Sequence, residues 1–152
     1  LAKIAEEKTM GRVLTKMALC FSAGCAGGLA NSVVLWLAGA AGINMALGVT
    51  LAPAFTPAWL YPRIVWGGLW GFLFLIPLFT NRPLVRGLLW SLGPTLVQLL
   101  IIFPLVAHKG FFGMALGTLT PLLVVFFNAV WGLKAAAVLA RIDSEAGGGF
   151  NL

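Results

Sequence analysis

The side chains able to do chemistry are few in this sequence, and their positions exclude more than they offer. The only carboxylates are Glu6, Glu7, Asp143 and Glu145. All four lie near the termini, so no acid sits within an apolar run to relay protons or hold a sodium ion, which disfavours a carboxylate-coupled transporter. The single histidine, His108, stands beside Lys109 between two apolar runs. One imidazole can ligate a haem iron or a chlorophyll magnesium, but a lone histidine in a connection reads as an interfacial residue. Cys20 and Cys25 are out of phase on a helix and no second ligand pair exists, so they read as buried thiols. No nucleophile has a base at a useful spacing. The sequence therefore predicts no catalytic residue, no metal ligand, no cofactor and no enzyme activity.

The polar residues within the apolar runs are Asn31, Ser32, Ser91, Thr95, Gln98, Asn128 and Lys134. In hydrocarbon such groups face other helices, because exposure to lipid leaves their donors unpaired. Asn31 is placed to add an interhelical hydrogen bond. Gln98 and Asn128, each bracketed by bulky apolar neighbours, have two readings: amides that glue helices together, which is the expected role, or the lining of a small polar pathway. Lys134 and Arg63 are expected to snorkel toward opposite membrane surfaces.

A different chemistry is written in the stretch "SAGCAGGLANS", Ser22 to Ser32. Gly24 and Gly28 form a G-x-x-x-G pair, and Ser22/Ala26, Ala23/Gly27 and Gly28/Ser32 repeat the spacing. Residues four apart share a helix face, so small ones make a flat groove in which a second backbone can approach closely. Gly67/Gly71 and Gly113/Gly117 repeat the pair, which predicts three packing sites. The partner helix of each belongs either to this chain, the favoured reading, or to another subunit.

These residues must be carried by membrane helices. Of the 152 residues 61% are hydrophobic and 9% charged, and the mean hydropathy is +1.01, far from soluble usage. The net charge of +6 comes from ten basic residues scattered at the ends of apolar runs. That dispersal excludes a nucleic-acid face and reads as a topology signal. A single all-α domain over 1–152 is predicted. Residues 1–16 read either as an amphipathic helix on the membrane surface or as a solvated basic tail. Four transmembrane helices follow at about 17–43, 63–79, 84–107 and 114–140, each long enough for a span of about 17–25 residues, the first with length to tilt or protrude past the hydrocarbon. Pro53, Pro57 and Pro62 break up the first outer connection, and 141–152 reads as a flexible tail. The sequence "MALCFSAGC" has the small residues of a processing site, but the apolar run continues past Cys25, so an uncleaved span is expected.

The run "GLLWSLGPTLVQLLIIFPL", followed by Gly110, Gly113 and a last span ending in Lys134 and Arg141, resembles the four-helix bacterial inner-membrane proteins of the YagU type over about the second half of the chain. That resemblance implies a multi-pass protein of the bacterial inner membrane and carries over no functional residues. The expected function is non-catalytic: a structural or accessory subunit packing against a larger membrane complex, with a small oligomeric channel or small-solute transporter as the alternative. Expected partners are membrane lipids and other membrane subunits or a second copy, with no nucleic acid.

Lys3, Lys8, Arg12, Lys16, Arg82, Arg86, Lys134 and Arg141 fall on one side of this path, and Arg63 and Lys109 on the other. Because cytoplasmic flanks carry the excess of lysine and arginine, both termini are predicted to be cytoplasmic. Reporter fusions at Ala107 and Phe150 are expected to signal opposite compartments. Matching signals would contradict the four-span path.

Overall fold

The computed structural model describes residues 2–148, with side chains from Glu6 onward. Helix α1 (Ala2–Ala40) leads through a short α2 (Ile43–Ala46) to α3 (Pro57–Gly71), which tightens into a 3-10 turn over Phe72–Leu75. Helix α4 (Pro83–Val97) widens into a π-helix over Gln98–Val106, and a 3-10 segment, Phe111–Leu116, precedes α5 (Thr120–Glu145). The described residues contain no strand. Three stretches, Glu6–Ala40, Pro83–Val106 and Thr120–Glu145, are long and apolar enough to cross a membrane.

Several boundaries depart from the sequence expectation. No break falls between residues 16 and 17: with no proline in α1, one helix of 39 residues, Ala2–Ala40, rises about 58 Å, and its first turns from Glu6 are exposed. Helix α3 begins at Pro57 instead of about residue 63, because Thr56 caps it through Oγ1, which accepts from the Trp59 amide at 3.3 Å, and proline suits the first turn. The last helix begins at Thr120 instead of about residue 114. Phe112 and Gly113 hold left-handed backbone (φ 59° and 73°) and Gly117 has φ 141°, so α5 cannot extend back through this stretch as an α-helix. The expected packing pair Gly113/Gly117 is therefore a turn and lies on no helix face. The expected tail is helical through Glu145, where Arg141 Nε and Glu145 Oε1 pair at 2.9 Å; residues 149–152 lie outside the described chain.

Helix α4 owes its change of pitch to proline. Pro104 donates no backbone hydrogen bond and crowds the preceding turn, and a wider helix relieves both conditions. The widened register persists beyond the ring, where the Ala107 amide donates to Ile102 at 2.8 Å.

Packing is built on glycine. Helix α3 runs antiparallel to α1, with Gly24 and Gly28 set against Gly67 and Gly71 so closely that the backbones touch. A Cβ on Gly28 would lie 2.8 Å from the Arg63 carbonyl oxygen, and one on Gly67 2.9 Å from the Gly28 Cα. Gly87 of α4 and Gly132 of α5 repeat the arrangement. Trp131 of α5, 3% exposed, joins the two pairs of helices: its indole N–H donates to the carbonyls of Gly24 at 3.1 Å and Gly67 at 3.2 Å. Around it lie Cys20, Ala23, Phe74, Ala135, Ala136 and Leu139. Helix α1 thus packs on α3 and α5, and α5 on α4, whereas α3 and α4 have little direct contact.

The end of the bundle where residues 41–56 and 107–119 lie is stitched across. The Thr50 amide donates to the Leu116 carbonyl at 2.8 Å, and the buried Asn44 donates to Leu51 at 2.6 Å. At the opposite end Arg86, counted above among the flanking cations, turns inward. It is 4% exposed and donates through Nη2 to the carbonyls of Phe74 and Ile76 where the 3-10 turn ends. The outward face of α4 is a stripe of exposed leucines at 84, 88, 92, 96 and 100, the pattern of a surface in contact with lipid.

Overfilling the α1–α3 crossing is expected to be costly. Gly67→Ala should lower stability by about 1–3 kcal/mol, and Gly28→Leu by more, read as a reduced Tm of the detergent-solubilised protein. Leu69→Ala, on an exposed face of the same helix, should leave Tm nearly unchanged. Equal melting of all four proteins would contradict the close approach.

Candidate functional site

Four helices converge on one polar layer. Asn31 and Ser32 come from α1, Arg63 from α3, Thr95 and Gln98 from α4 and the first residue of its widened stretch, and Asn128 from α5. Asn31 lies nine residues before the end of α1 and Asn128 eight after the start of α5, which sets both about 12–14 Å along their helices at 1.5 Å per residue. Arg63, six residues into α3, lies about 9 Å from its start by the same measure. The layer is thus well inside the bundle, nearer the stitched end.

Its hydrogen bonds run in one direction. The Arg63 guanidinium donates from Nη2 to Asn31 Oδ1 at 2.6 Å and from Nε to Ser32 Oγ at 3.0 Å. With its oxygen taken by a cation, Asn31 turns its amide nitrogen toward α5, donating to the Phe127 carbonyl at 2.7 Å and to Asn128 Oδ1 at 3.2 Å. Asn128 in turn faces its nitrogen to α4, donating to Thr95 Oγ1 at 3.1 Å and, at a longer 3.4 Å, to Gln98 Oε1. Thr95 passes its own proton to the Ser91 carbonyl at 2.7 Å. The cation at one end fixes the orientation of each amide in the chain, since an acceptor toward Arg63 requires a donor on the far side.

Arg63 is also stacked on Trp59, one turn earlier, at 4.9 Å from the ring centroid. It has no carboxylate partner among the described residues, since the four acids all lie near the termini. Its Nη1 donates to nothing among the described residues, and neither does Gln98 Nε2.

Two cavities flank this layer. One, of about 320 Å³, opens between α3 and α4 beside Trp66, Trp70, Pro94 and Ile102. The other, of about 310 Å³, lies under the stitched connections beside Thr50, Pro53, Trp59 and Phe103. Asn31, Arg63, Gln98 and Asn128 line both. Four polar side chains from four separate helical segments therefore stand between two hollows, a geometry suited to holding a polar or charged group of a small molecule.

The three intramembrane amides singled out in the sequence, Asn31, Gln98 and Asn128, are brought together here. Arg63 does not snorkel outward as the sequence leads one to expect: Asn31, Ser32 and the Trp59 face draw it inward. The signal that could have found it is the spacing Trp59–Arg63–Gly67, which sets a cation–π partner and a glycine contact one turn either side. Trp131 was missed, with no motif to mark it. His108 is exposed in a left-handed turn (φ 52°) at the stitched end, and Lys134 is exposed. Cys20 is buried and Cys25 half-buried, both free. Gly24, Gly28, Gly67 and Gly71 lie directly beneath the polar layer.

Because Thr95 and Asn128 act through a shared bond, their removal should be non-additive. Asn128→Leu is expected to cost about 0.6–2 kcal/mol and Thr95→Val somewhat less, while the double variant falls short of their sum by about 0.5 kcal/mol or more. Melting of the four proteins in detergent measures the cycle, and simple additivity would mean that the amide–hydroxyl bond is not made. No family model, curated protein or solved structure matches the chain, so the residues and their geometry carry the functional reading.

Proposed function

We propose that this is a non-catalytic, multi-pass protein of the bacterial inner membrane that crosses four times with both termini in the cytoplasm and binds a small solute in the polar chamber, in the manner of a carrier or channel. The observation that carries the reading is the set of four polar side chains shared by two cavities. Pure structural glue has no use for such hollows, since a polar network that only joins helices is better closed around itself.

The fourth crossing would be supplied by α3. Fifteen α-helical and four 3-10 residues rise together about 30 Å, from 1.5 Å and 2.0 Å per residue, which matches a hydrocarbon core of about 30 Å. The orientation is supported by the basic residues. With Arg63 drawn into the chamber, Lys109 remains as the flanking cation of the stitched end, against the larger group at the other. The inner-membrane assignment rests on that bias and on the resemblance to the YagU type.

The accessory-subunit reading has less to stand on. Its main support was the small-residue grooves, and Gly24, Gly28, Gly67 and Gly71 are covered by this chain's own helices. The outward surfaces are leucine-rich and suit lipid.

Gln98→Cys in a Cys20→Ala, Cys25→Ala background tests the chamber directly. A small water-soluble thiol reagent is expected to modify it in detergent, at least tenfold faster than a cysteine at Leu99, which is buried in the apolar cluster with Phe103 and Val124. Equal, negligible labelling of both would mean a closed amide layer and would overturn the solute-binding reading in favour of a structural role.

A further inference from the structure

The chamber differs from an ordinary polar core in its charge balance and in where it opens. It holds one cation, Arg63, and no anion. Its neighbours are two neutral acceptors and an indole face, and Nη1 and Gln98 Nε2 donate to nothing among the described residues. An unbalanced guanidinium at this depth is costly unless an anion joins it. The opening is lateral. Near the chain-terminus end of the bundle Trp70 and Leu73 of the α3 segment close against Gly93 of α4. Beyond that seal the two helices separate, and the mouth is edged by Trp66, 60% exposed, and Ile102, 40% exposed. Both edges are apolar, and Ile102 belongs to Pro83–Val106, a stretch long and apolar enough to cross a membrane, so with α3 as a further crossing the mouth opens sideways between two membrane helices.

We infer that the chamber between α3 and α4 takes the oxyanion headgroup of an anionic membrane lipid that enters sideways from the bilayer. The headgroup accepts hydrogen bonds from Arg63 Nη1 and Gln98 Nε2, and an acyl chain leaves between Trp66 and Ile102. This rests on the chamber being a binding site, as proposed above, and names the class of its occupant. The dimensions agree: about 320 Å³ is too little for a whole phospholipid but accommodates a headgroup anion and the start of a chain, with the remainder in the bilayer. A guanidinium with one edge engaged and one nitrogen open is suited to a phosphate or carboxylate oxygen. A zwitterionic headgroup would bring a quaternary ammonium beside the same cation and lose that advantage.

Native mass spectrometry of the protein released from micelles containing equal phosphatidylglycerol and phosphatidylcholine tests this. The wild-type protein is expected to retain one phosphatidylglycerol in at least tenfold preference. Arg63→Gln should abolish the preference. Ile102→Trp, which fills the mouth from an exposed position, should reduce retention of both lipids about tenfold without lowering Tm, and it keeps the test decisive if Arg63→Gln does not fold. Lys109→Gln, a cation of the same end outside the chamber, should change nothing. Retention of the two lipids in equal amounts, or a preference that survives both Arg63→Gln and Ile102→Trp, would overturn the inference. Displacement of the lipid by millimolar inorganic phosphate would also overturn it, pointing to a free anion.

Thiol labelling separates this outcome from failure of the chamber itself. Phosphatidylglycerol, and not phosphatidylcholine, should slow modification of Gln98→Cys at least fivefold. Rapid labelling unaffected by either lipid would overturn the lipid assignment while leaving a solute chamber in place. Absence of labelling in lipid-free detergent would overturn both.

Discussion

The close crossing of α1 and α3 sets the geometry of everything above it. Gly28 meets Gly67 at backbone contact distance, and one helical turn away on the same faces stand Asn31 and Ser32 on one helix and Arg63 on the other. The short guanidinium bonds to Asn31 and Ser32 exist because no side chain holds the two helices apart one turn below. Trp131 fixes the third helix at the same level by bonding the carbonyls of Gly24 and Gly67 together. Those oxygens already belong to helices α1 and α3, so the indole uses their second lone pairs, which the absence of a Cβ leaves accessible.

Once α5 is placed by Trp131, Asn128 lies one turn before it and meets Asn31. The direction of the network then follows from charge. Arg63 has only donors, so Asn31 must present oxygen to it, and each later amide has its orientation imposed by the one before. Proline sets the far end, where the π-helical widening that Pro104 demands begins at Gln98. That side chain makes the longest bond of the network, and its amide nitrogen remains open to both cavities.

Much of this was legible in the sequence because lipid is an undemanding solvent to read against. An asparagine in an apolar run has to find a partner, so Asn31, Gln98 and Asn128 stood out by type alone, and glycines four apart implied a close backbone approach at Gly24/Gly28 and Gly67/Gly71. Helicity followed from composition. Arg63 was misplaced because a cation near a predicted helix end has two low-energy solutions, outward to water or inward to acceptors. The choice depends on Asn31 and Ser32, which are about thirty residues away in the chain. Gly113/Gly117 carried the same spacing as the true contacts. Spacing cannot reveal that Phe112 and Gly113 hold positive φ, a consequence of the tertiary fit of this turn against Phe103 and Thr120. The merger of residues 2–16 with the first long helix is hidden for a simpler reason: charge marks where water begins, and a helix can cross that boundary without a break.

The choice of arginine over lysine at position 63 bears on what the layer is for. A lysine ammonium there could satisfy Asn31 and Ser32 as a point charge and be fully engaged by them. A guanidinium uses Nε and Nη2 for the same two acceptors, lies over the Trp59 ring, and still has Nη1 donating to nothing among the described residues. One edge serves the fold and the other remains available to a ligand, so the residue that orders the amide network is also the one that confronts whatever enters the cleft. Binding at Nη1 would draw density from the same delocalised cation that orients Asn31. A ligand bound as proposed would thereby act on the orientation of the amide network through a single side chain.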